Sequence, residues 1–389
     1  MTRIYIIRHA EAEGNLFRRI HGQYDTTITP RGHRQIAALR ERFAEEPVDA
    51  CYSSDLVRTR TTAQAIWLPK GLPLQLDARF REVRLGRWED LPFGQLERED
   101  PEELTRFSRD PLHWRVEGAE TLEEYAGRFL AGLRDVAERN DGRTAAIFSH
   151  GSVIRAMQMY LFYGPDRIPE IGHCDNTGVS LLEYENGAFR AVYLNDSGHL
   201  TPELSIFTRQ NWWRKDGARR DEDLWFRPLR DAADWYAACR REAWQTIYGE
   251  EAPFDGYAYW RSAADAAGSE PWSLCQAMLG DEPAGILQLN PEQLPAGNAG
   301  WISFLYLLPA FRGRGLGVQL VGQAVSYYRA RGRSYLQLSV SPENEKALAL
   351  YRRCGFCDAG WVPGLRGDLL LMDWNGELTR DLQPELQPV

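Results

Sequence analysis

The sequence predicts two α/β domains in succession, a three-layer unit over residues 1–200 and a mixed-sheet unit over residues 223–375. Three observations lead there. A chain of 389 residues exceeds the size at which one hydrophobic core keeps growing. Short β-rich segments alternate with helical ones from the first residues, the pattern of helices covering a sheet. Between Asp196 and Asp223 the periodicity fades and charge rises, above all in RKDGARRDED, which places a linker at 201–222. Residues 376–389 are polar, with two prolines, and read as a tail.

Taken in order, the apolar run Ile4 to Ile7 reads as a strand, Arg31 to Glu45 as a helix, Ala50 to Ser53 as a strand and Leu56 to Leu68 as a helix. Leu122 to Arg139 carries a helical period, and Asp141-Gly142 separates it from the strand Thr144 to Phe148. Val179 to Tyr184 and Phe189 to Leu194 form a hairpin through Glu185 to Gly187. The second unit opens with the strand LWFRPLR and a helix over Ala232 to Tyr248. SLCQAMLG and AGILQLN make a hairpin across GDEP, and WISFLYLLP is a further strand. A helix from about Leu316 to Ala330, the strand SYLQLSV, the helix Glu345 to Arg353 and the strand Leu369 to Trp374 complete it.

Composition narrows the function. At 43% hydrophobic and 26% charged, with 13 Trp and 15 Phe, the chain can fill two cores and is not generally disordered. A net charge of -9 speaks against nucleic acid as a partner, because phosphate-backbone binding needs a cationic surface. Of 46 basic residues only Lys70, Lys215 and Lys346 are lysines, so an arginine counts as functional only from its local setting. No stretch approaches the roughly 18 apolar residues of a membrane span. The start MTRIYIIRH reads as a strand rather than a secretory signal, and the six scattered cysteines read as reduced thiols of a cytoplasmic protein. No His or carboxylate cluster has metal-ligand spacing.

Arg8-His9 closes the first strand and His150 follows TAAIFS, so both histidines sit at carboxyl ends of strands, where open α/β sheets bind ligands. If the two strands are neighbours, both imidazoles can face one phosphorus. Phosphoryl transfer needs a nucleophile, cations on the equatorial oxygens and a proton for the leaving oxygen. Neutral His9 can attack, Arg8 and Arg58 can hold phosphate oxygens through charge-assisted donors, and Glu82 or another carboxyl group can supply the proton.

These residues lie in blocks that resemble the histidine phosphatase superfamily, in its phosphoglycerate mutase-like branch. IIRHAEAEGN is similar to the family's opening Arg-His-Gly, with Ala10 in place of Gly and Asn15 at the downstream Asn. HGQYDTTITPRGHRQI follows the next segment through Gly22, Asp25, Thr29, Gly32 and Gln35, and YSSDLVRTRTTAQA supplies the second arginine, Arg58. REVRLGRWED carries the acidic residue, Glu82, and SHGSVIR the second His-Gly, His150 and Gly151. The resemblance implies a three-layer fold and metal-independent transfer of phosphate from a small-molecule ester to His9, followed by hydrolysis. Glu82 would protonate the leaving group and later activate water, His150 would stabilise developing charge, and Asn15 and Gly151 would contact the phosphate. Ala10 is harmless if its site needs only a small side chain and costly if it needs positive φ. Arg60 is expected in surface pairs, Glu89 is the structural rival of Glu82, and His21, His33, His113, His173 and His199 are expected in surface or packing roles.

A second constellation is RGRGLG at 312–317, which follows a strand and opens a helix, where backbone N–H groups make an anion nest. YLLPAFRGRGLGVQLVGQAV and VSPENEKALALYRRCGF resemble the GCN5-related N-acetyltransferase (GNAT) family. The resemblance implies an acetyl-CoA pyrophosphate loop at Arg312, Gly313, Arg314, Gly315, Leu316 and Gly317, cofactor contacts at Leu307 and Asn344, and Tyr351 as proton donor to the departing thiolate. A splayed strand around Tyr306 to Leu308 would offer backbone N–H groups, and an amine would be the acceptor. Glu270 and Asp265 are the acidic residues considered as its base. The leading expectation is a bifunctional enzyme. The alternatives are an acetyltransferase with a phosphate-binding regulatory N-terminal domain, an N-terminal phosphomutase, or a non-catalytic scaffold.

Overall fold

The computed structural model describes residues 1–211, 221–249, 253–293, 298–365, 367–379 and 382. Most of the charged part of the 201–222 linker and most of the 376–389 tail lie outside the described residues.

The first half is built on β1 (Thr2–Arg8), α1 (Glu13–Phe17), α2 (Pro30–Arg42), β2 (Ala50–Ser53), α3 (Val57–Lys70) and β3 (Leu74–Leu76). It continues with α4 (Phe93–Glu99), α5 (Pro101–Arg109), α6 (Leu122–Arg139), β4 (Thr144–Ser149), α7 (Gly151–Gln158) and the hairpin β5 (Val179–Glu185) and β6 (Ala188–Asp196). The sheet order is β3-β2-β4-β1-β5-β6, with β1, β4, β2 and β3 mutually parallel and β5 antiparallel to β1. Successive residues of a strand face opposite sides. Accordingly Ile4 and Ile6 enter the core beneath α6 and α7 with Phe129 and Leu133, while Tyr5 and Ile7 enter the core beneath α2 and α3 with Leu39 and Ile66. Both faces are covered, which gives three layers and explains why central strands read as unbroken apolar runs.

The second half contains β7 (Leu224–Pro228), α8 (Ala233–Tyr248), α9 (Gly256–Ser269), β8 (Leu274–Leu279), β9 (Glu282–Asn290) and β10 (Ala299–Leu307). It closes with α10 (Gly317–Arg329), β11 (Tyr335–Val340), α11 (Glu345–Arg353), β12 (Cys357–Val362) and β13 (Leu369–Asn375). The order β12-β13-β11-β10-β9-β8-β7 is mixed: β10 and β11 are parallel and every other pair is antiparallel. One face packs on α10 and α11, and the other on α8 and α9.

The halves share a core. Leu16 and Phe17 of α1 belong to the apolar cluster beneath α10. Beside them Glu13 pairs with Arg329 at 2.7 Å, and Arg18 pairs with Asp223 at 2.7 Å. Residues before 212 run back over the first half: Gln35 Nε2 donates to the Leu204 carbonyl at 2.8 Å and Ser205 Oγ to Asp175 Oδ2 at 2.5 Å. Among the described residues no helix is long and apolar enough to cross a membrane.

The major expected strands and helices form close to their expected bounds. The helices α1, α4, α5, α7 and α9 and the strands β3 and β12 were not anticipated. Of these, α4 is preceded by Pro92 and α5 begins at Pro101, and both are rich in charge; α5 is short, with no fully buried residue and Leu104 and Phe107 as its large apolar side chains.

Candidate active sites

Parallel pairing decides the first site. Arg8 lies opposite Ser149 in the β1–β4 register, so His9 and His150 leave adjacent strands at the same end. Their ring centroids are 5.2 Å apart. His9 Nδ1 lies 2.7 Å from the Ala10 carbonyl, which can only accept, so Nδ1 carries the proton and Nε2 its lone pair. Burial, with the fields of Arg58 and Arg8, holds His9 well below its ordinary value and therefore neutral. His150 is held down the same way, by burial first and then by Arg58 and His9. Its Nε2 meets Ser54 Oγ at 3.0 Å, and its buried Nδ1 has no partner.

The cations around these rings bond to carbonyl oxygens rather than to carboxylates. Arg8 Nη1 donates to the Cys174 carbonyl at 2.5 Å, and its buried Nε has no partner. Arg58, at the start of α3 and 2% exposed, donates to the carbonyls of Tyr24 at 3.0 Å and Gly22 at 2.6 Å. Glu89 sets that loop by accepting the N–H groups of Gly22, Gln23 and Tyr24. Glu82 instead caps α7: Oε2 accepts from Ser152 N–H at 3.1 Å, and Oε1 from Val153 at 3.2 Å and Val83 at 3.0 Å. Asn15 Oδ1 accepts the Ala12 N–H at 3.1 Å. Gly151 opens α7, where an added Cβ would lie 3.3 Å from Arg8 Nε.

Arg8, His9, Asn15, Arg58, Glu82 and Gly151 all line one cavity of about 410 Å³, while His150, fully buried, is not in its lining and lies with its ring 5.2 Å from that of His9. Glu89 does not line it, which separates the two carboxylates. Ala10 is fully buried and is not among the residues with positive φ; its N–H donates to Thr62 Oγ1 at 2.9 Å. The site therefore needs a small side chain there, not a glycine backbone. Sequence reasoning missed His21, which lines the cavity with Nε2 at 3.1 Å from Asp90 Oδ1, His173, which lines it too, and Ser54, the partner of His150. Ser54 could have been noted as the first residue after a strand parallel to that of His150; nothing in the sequence around His21 marks it. Among the described residues no group of three or more His, Cys, Asp or Glu could hold a metal ion.

In the second half, β10 pairs with β11 only over Ala299 to Trp301 and then diverges, while its pairing with β9 continues to Leu307. Leu308 N–H donates to the Ala284 carbonyl at 2.9 Å. Alternation along the strand then turns the Leu307 N–H toward the opening. Gly313 and Gly315 have φ of +74° and +82°, and with Leu316 as the N-cap and Gly317 as the first residue of α10 they form a backbone nest at a helix N-terminus. That geometry suits a pyrophosphate. The side chains of the loop are engaged elsewhere: Arg312 with Glu242 at 2.7 Å and Arg314 with Glu222 at 2.5 Å. Asn344 Oδ1 caps α11 by accepting from Ala347 at 3.1 Å. Tyr351 is buried against Phe356, and burial raises its hydroxyl. Glu270 pairs with Arg331 at 2.6 Å, and Asp265 is exposed on α9.

Comparison with known proteins agrees with both geometries. The family model described as histidine phosphatase superfamily (branch 1) matches residues 4–197, and that of the acetyltransferase (GNAT) family matches residues 229–356. The chain is 30% identical over 202 residues to Phosphoserine phosphatase 1 of Hydrogenobacter thermophilus, spanning 51% of this chain and 95% of that protein. It is 27% identical over 191 residues to a probable phosphoglycerate mutase GpmB of Salmonella choleraesuis, spanning 49% and 89%. Among solved structures, Bacillus stearothermophilus YhfR aligns with a TM-score of 0.49 at 26% identity, spanning 51% of this chain and 99% of that one. The chain belongs, through its first half, to the histidine phosphatase superfamily, and carries a GNAT acetyltransferase domain in its second.

Proposed function

We propose that the first half hydrolyses phosphomonoesters through a phosphohistidine at His9, and that the second half transfers an acetyl group to an amine. One observation carries the first assignment. Two buried imidazoles held neutral lie beside two guanidiniums that bond to carbonyl oxygens, and Arg8 Nε and His150 Nδ1 are buried without partners. Buried donors left unpaired are costly, and phosphate oxygens would satisfy them.

In this reading His9 Nε2 attacks phosphorus, the bond from phosphorus to the ester oxygen breaks, and Glu82 gives that oxygen a proton. Glu82 Oε2 accepts only the Ser152 N–H and so keeps a position for the proton. Water then attacks the phosphohistidine, its proton passes to the Glu82 carboxylate, and the N–P bond breaks to restore His9. Arg8, Arg58 and His150 hold the equatorial oxygens throughout, which supplies the charge that a metal would otherwise bring. Hydrolysis rather than mutase chemistry is assigned from the relative with 30% identity, which is named as a phosphatase.

For the second half, acetyl-CoA would supply the acetyl thioester. The backbone of Gly313 to Gly317 would hold its pyrophosphate, and the Leu307 N–H on the open side of β10 would orient the acyl arm. Tyr351, kept protonated by burial, is assigned as the proton donor. Asn344 serves the site by fixing the start of α11, which carries Tyr351.

Phosphate release and acetyl-CoA turnover by the full chain, measured beside His9→Ala and Tyr351→Phe, test both assignments. His9→Ala abolishes phosphate release and spares acetyl transfer, and Tyr351→Phe does the reverse. Phosphate release that survives His9→Ala removes the nucleophile assignment.

A further inference from the structure

The cavity beside His9, at about 410 Å³, is larger than a phosphate group needs, and it extends along α7. Gly151 lines it at the phosphate end, beside Arg8. Arg155 of the same helix lines it too, four residues on, which is one turn or about 6 Å further along the axis. The organic part of the ester has to lie in this stretch. Nothing in the phosphoryl chemistry calls for Arg155.

The other wall cations have carboxylate partners. Arg18 is held by Asp223 at 2.7 Å through both Nε and Nη2, and Arg19 donates to Asp90 Oδ1 at 2.8 Å. Arg155 has no carboxylate partner among the described residues. Its Nη1 donates to the Ser108 carbonyl at 2.9 Å and its Nη2 to the Ile168 carbonyl at 3.3 Å, and its buried Nε has no partner. Each Nη nitrogen carries two N–H groups, so both keep one for a ligand. Burial pushes the guanidinium below its ordinary value, and the group that opposes this is the Tyr125 hydroxyl.

Tyr125 of α6 lines the same cavity and is 3% exposed. Burial, reinforced by the carboxylate of Glu82, keeps its phenol protonated, and among the described residues that hydroxyl has no hydrogen-bond partner. The cavity therefore holds a guanidinium without a counter-ion and an O–H donor without an acceptor. Leu104, Phe107 and Ile171 line it as well, and such apolar surroundings strengthen an ion pair formed there. Of the cavity's carboxylates, Asp223 is taken by Arg18, whose field Glu97 also shares. A partly buried cation left uncompensated is costly, and an oxyanion brought by the substrate relieves that cost.

We infer that Arg155, with the Tyr125 hydroxyl, binds a carboxylate on the organic part of the substrate, so that the His9 site prefers phosphomonoesters of hydroxy acids to those of uncharged alcohols. This reading rests on the phosphohydrolase assignment of the His9 cavity. Arg155 holds the far end of the ester while Arg8 and Arg58 hold the phosphate; its part is specificity rather than phosphoryl transfer.

The test uses the full chain and three pairs of esters: 3-phosphooxypropanoate, 4-phosphooxybutanoate and 6-phosphooxyhexanoate against propyl, butyl and hexyl phosphate, with p-nitrophenyl phosphate as an activated control. In the best-fitting pair, kcat/KM for the carboxylate exceeds that for the alkyl ester by roughly 10–100-fold, the effect of one charge-assisted contact. Arg155→Gln, which keeps an N–H donor for the wall carbonyls, brings that ratio to within about threefold of one. Tyr125→Phe, which keeps the ring, lowers it by about three- to tenfold. If Arg155→Gln loses the control activity through misfolding, Tyr125→Phe decides alone. Turnover of the control with a ratio below about tenfold in every pair overturns this inference and leaves the hydrolase reading standing. A larger ratio that the deciding variant leaves intact overturns it in the same way. Turnover of none of these esters overturns the hydrolase reading, and this inference with it.

Discussion

Breaking the Glu13–Arg329 pair should show how firmly the two halves depend on each other. Arg329 of α10 reaches both oxygens of Glu13, at 2.7 and 3.0 Å, with side-chain exposures of 16% and 4%. Removing one partner of a buried pair costs about 3–5 kcal/mol, because the other charge stays buried without compensation. Glu13 keeps the Thr27 N–H and hydroxyl, at 3.1 and 2.6 Å, so Arg329→Met belongs at the low end, about 3 kcal/mol. Glu13→Gln retains hydrogen bonding and leaves the more exposed partner, so it costs about 2 kcal/mol. Once the pair is broken the second change adds little, and the double variant should cost about 3 kcal/mol, a coupling of about 2 kcal/mol. Thermal unfolding of the four proteins measures the cycle, with Arg329→Met lowering the midpoint by roughly 4 °C for 389 residues that unfold as one unit. Additive single effects, with a coupling below about 0.5 kcal/mol, would refute the shared-core account.

Three further outcomes follow from the same geometry. His9 and His150 are neutral when folded and take up protons when unfolded below about pH 6.5, so the unfolded state gains from acid. Stability is therefore full above about pH 6.5 and falls below it by about 1.4 kcal/mol per pH unit for each histidine; urea midpoints that do not move between pH 7 and 5.5 contradict this. Glu89→Ala strands the N–H groups of Gly22, Gln23, Tyr24 and Leu85 and loosens the carbonyls that hold Arg58, so KM for phosphate esters should rise tenfold or more. A KM within about twofold of the parent excludes that role. Ala10→Gly, which restores the family's residue, should leave kcat unchanged and cost about 0.5–1 kcal/mol of stability, since the site has no positive φ to exploit. A gain in kcat would show that the backbone there needs glycine.

The layers of the first half were legible because β1 and β4 are apolar on both faces and α2 and α6 keep a helical period, whereas α3 is buried nearly all round and keeps none. Arg8, His9, Glu82 and His150 could be named from motif blocks, yet their meeting depends on β1 lying beside β4, a pairing that no local pattern encodes. The same limit applied to α1. Its five residues carry no period, and Leu16 and Phe17 gave no sign that their partner is α10, some 300 residues later in the chain. The helix α5 was hidden for a different reason: its two large apolar side chains, Leu104 and Phe107, are only half-buried, lining the His9 cavity while they pack against the core, Phe107 beside Trp88 and Trp114. In the second half the glycines announced the nest, while the pairing of Arg312 and Arg314 with Glu242 and Glu222 needed the tertiary fold.

The central claim is that His9 carries the phosphoryl group. Full-length protein mixed with a labelled phosphomonoester and quenched in alkali within the first turnover measures this directly, because phosphohistidine survives base and is lost in acid. The account predicts alkali-stable, acid-labile label, at most one per chain, in the peptide containing His9 and absent from His9→Ala. Turnover without any trapped label at His9, or label recovered on another residue, would contradict it.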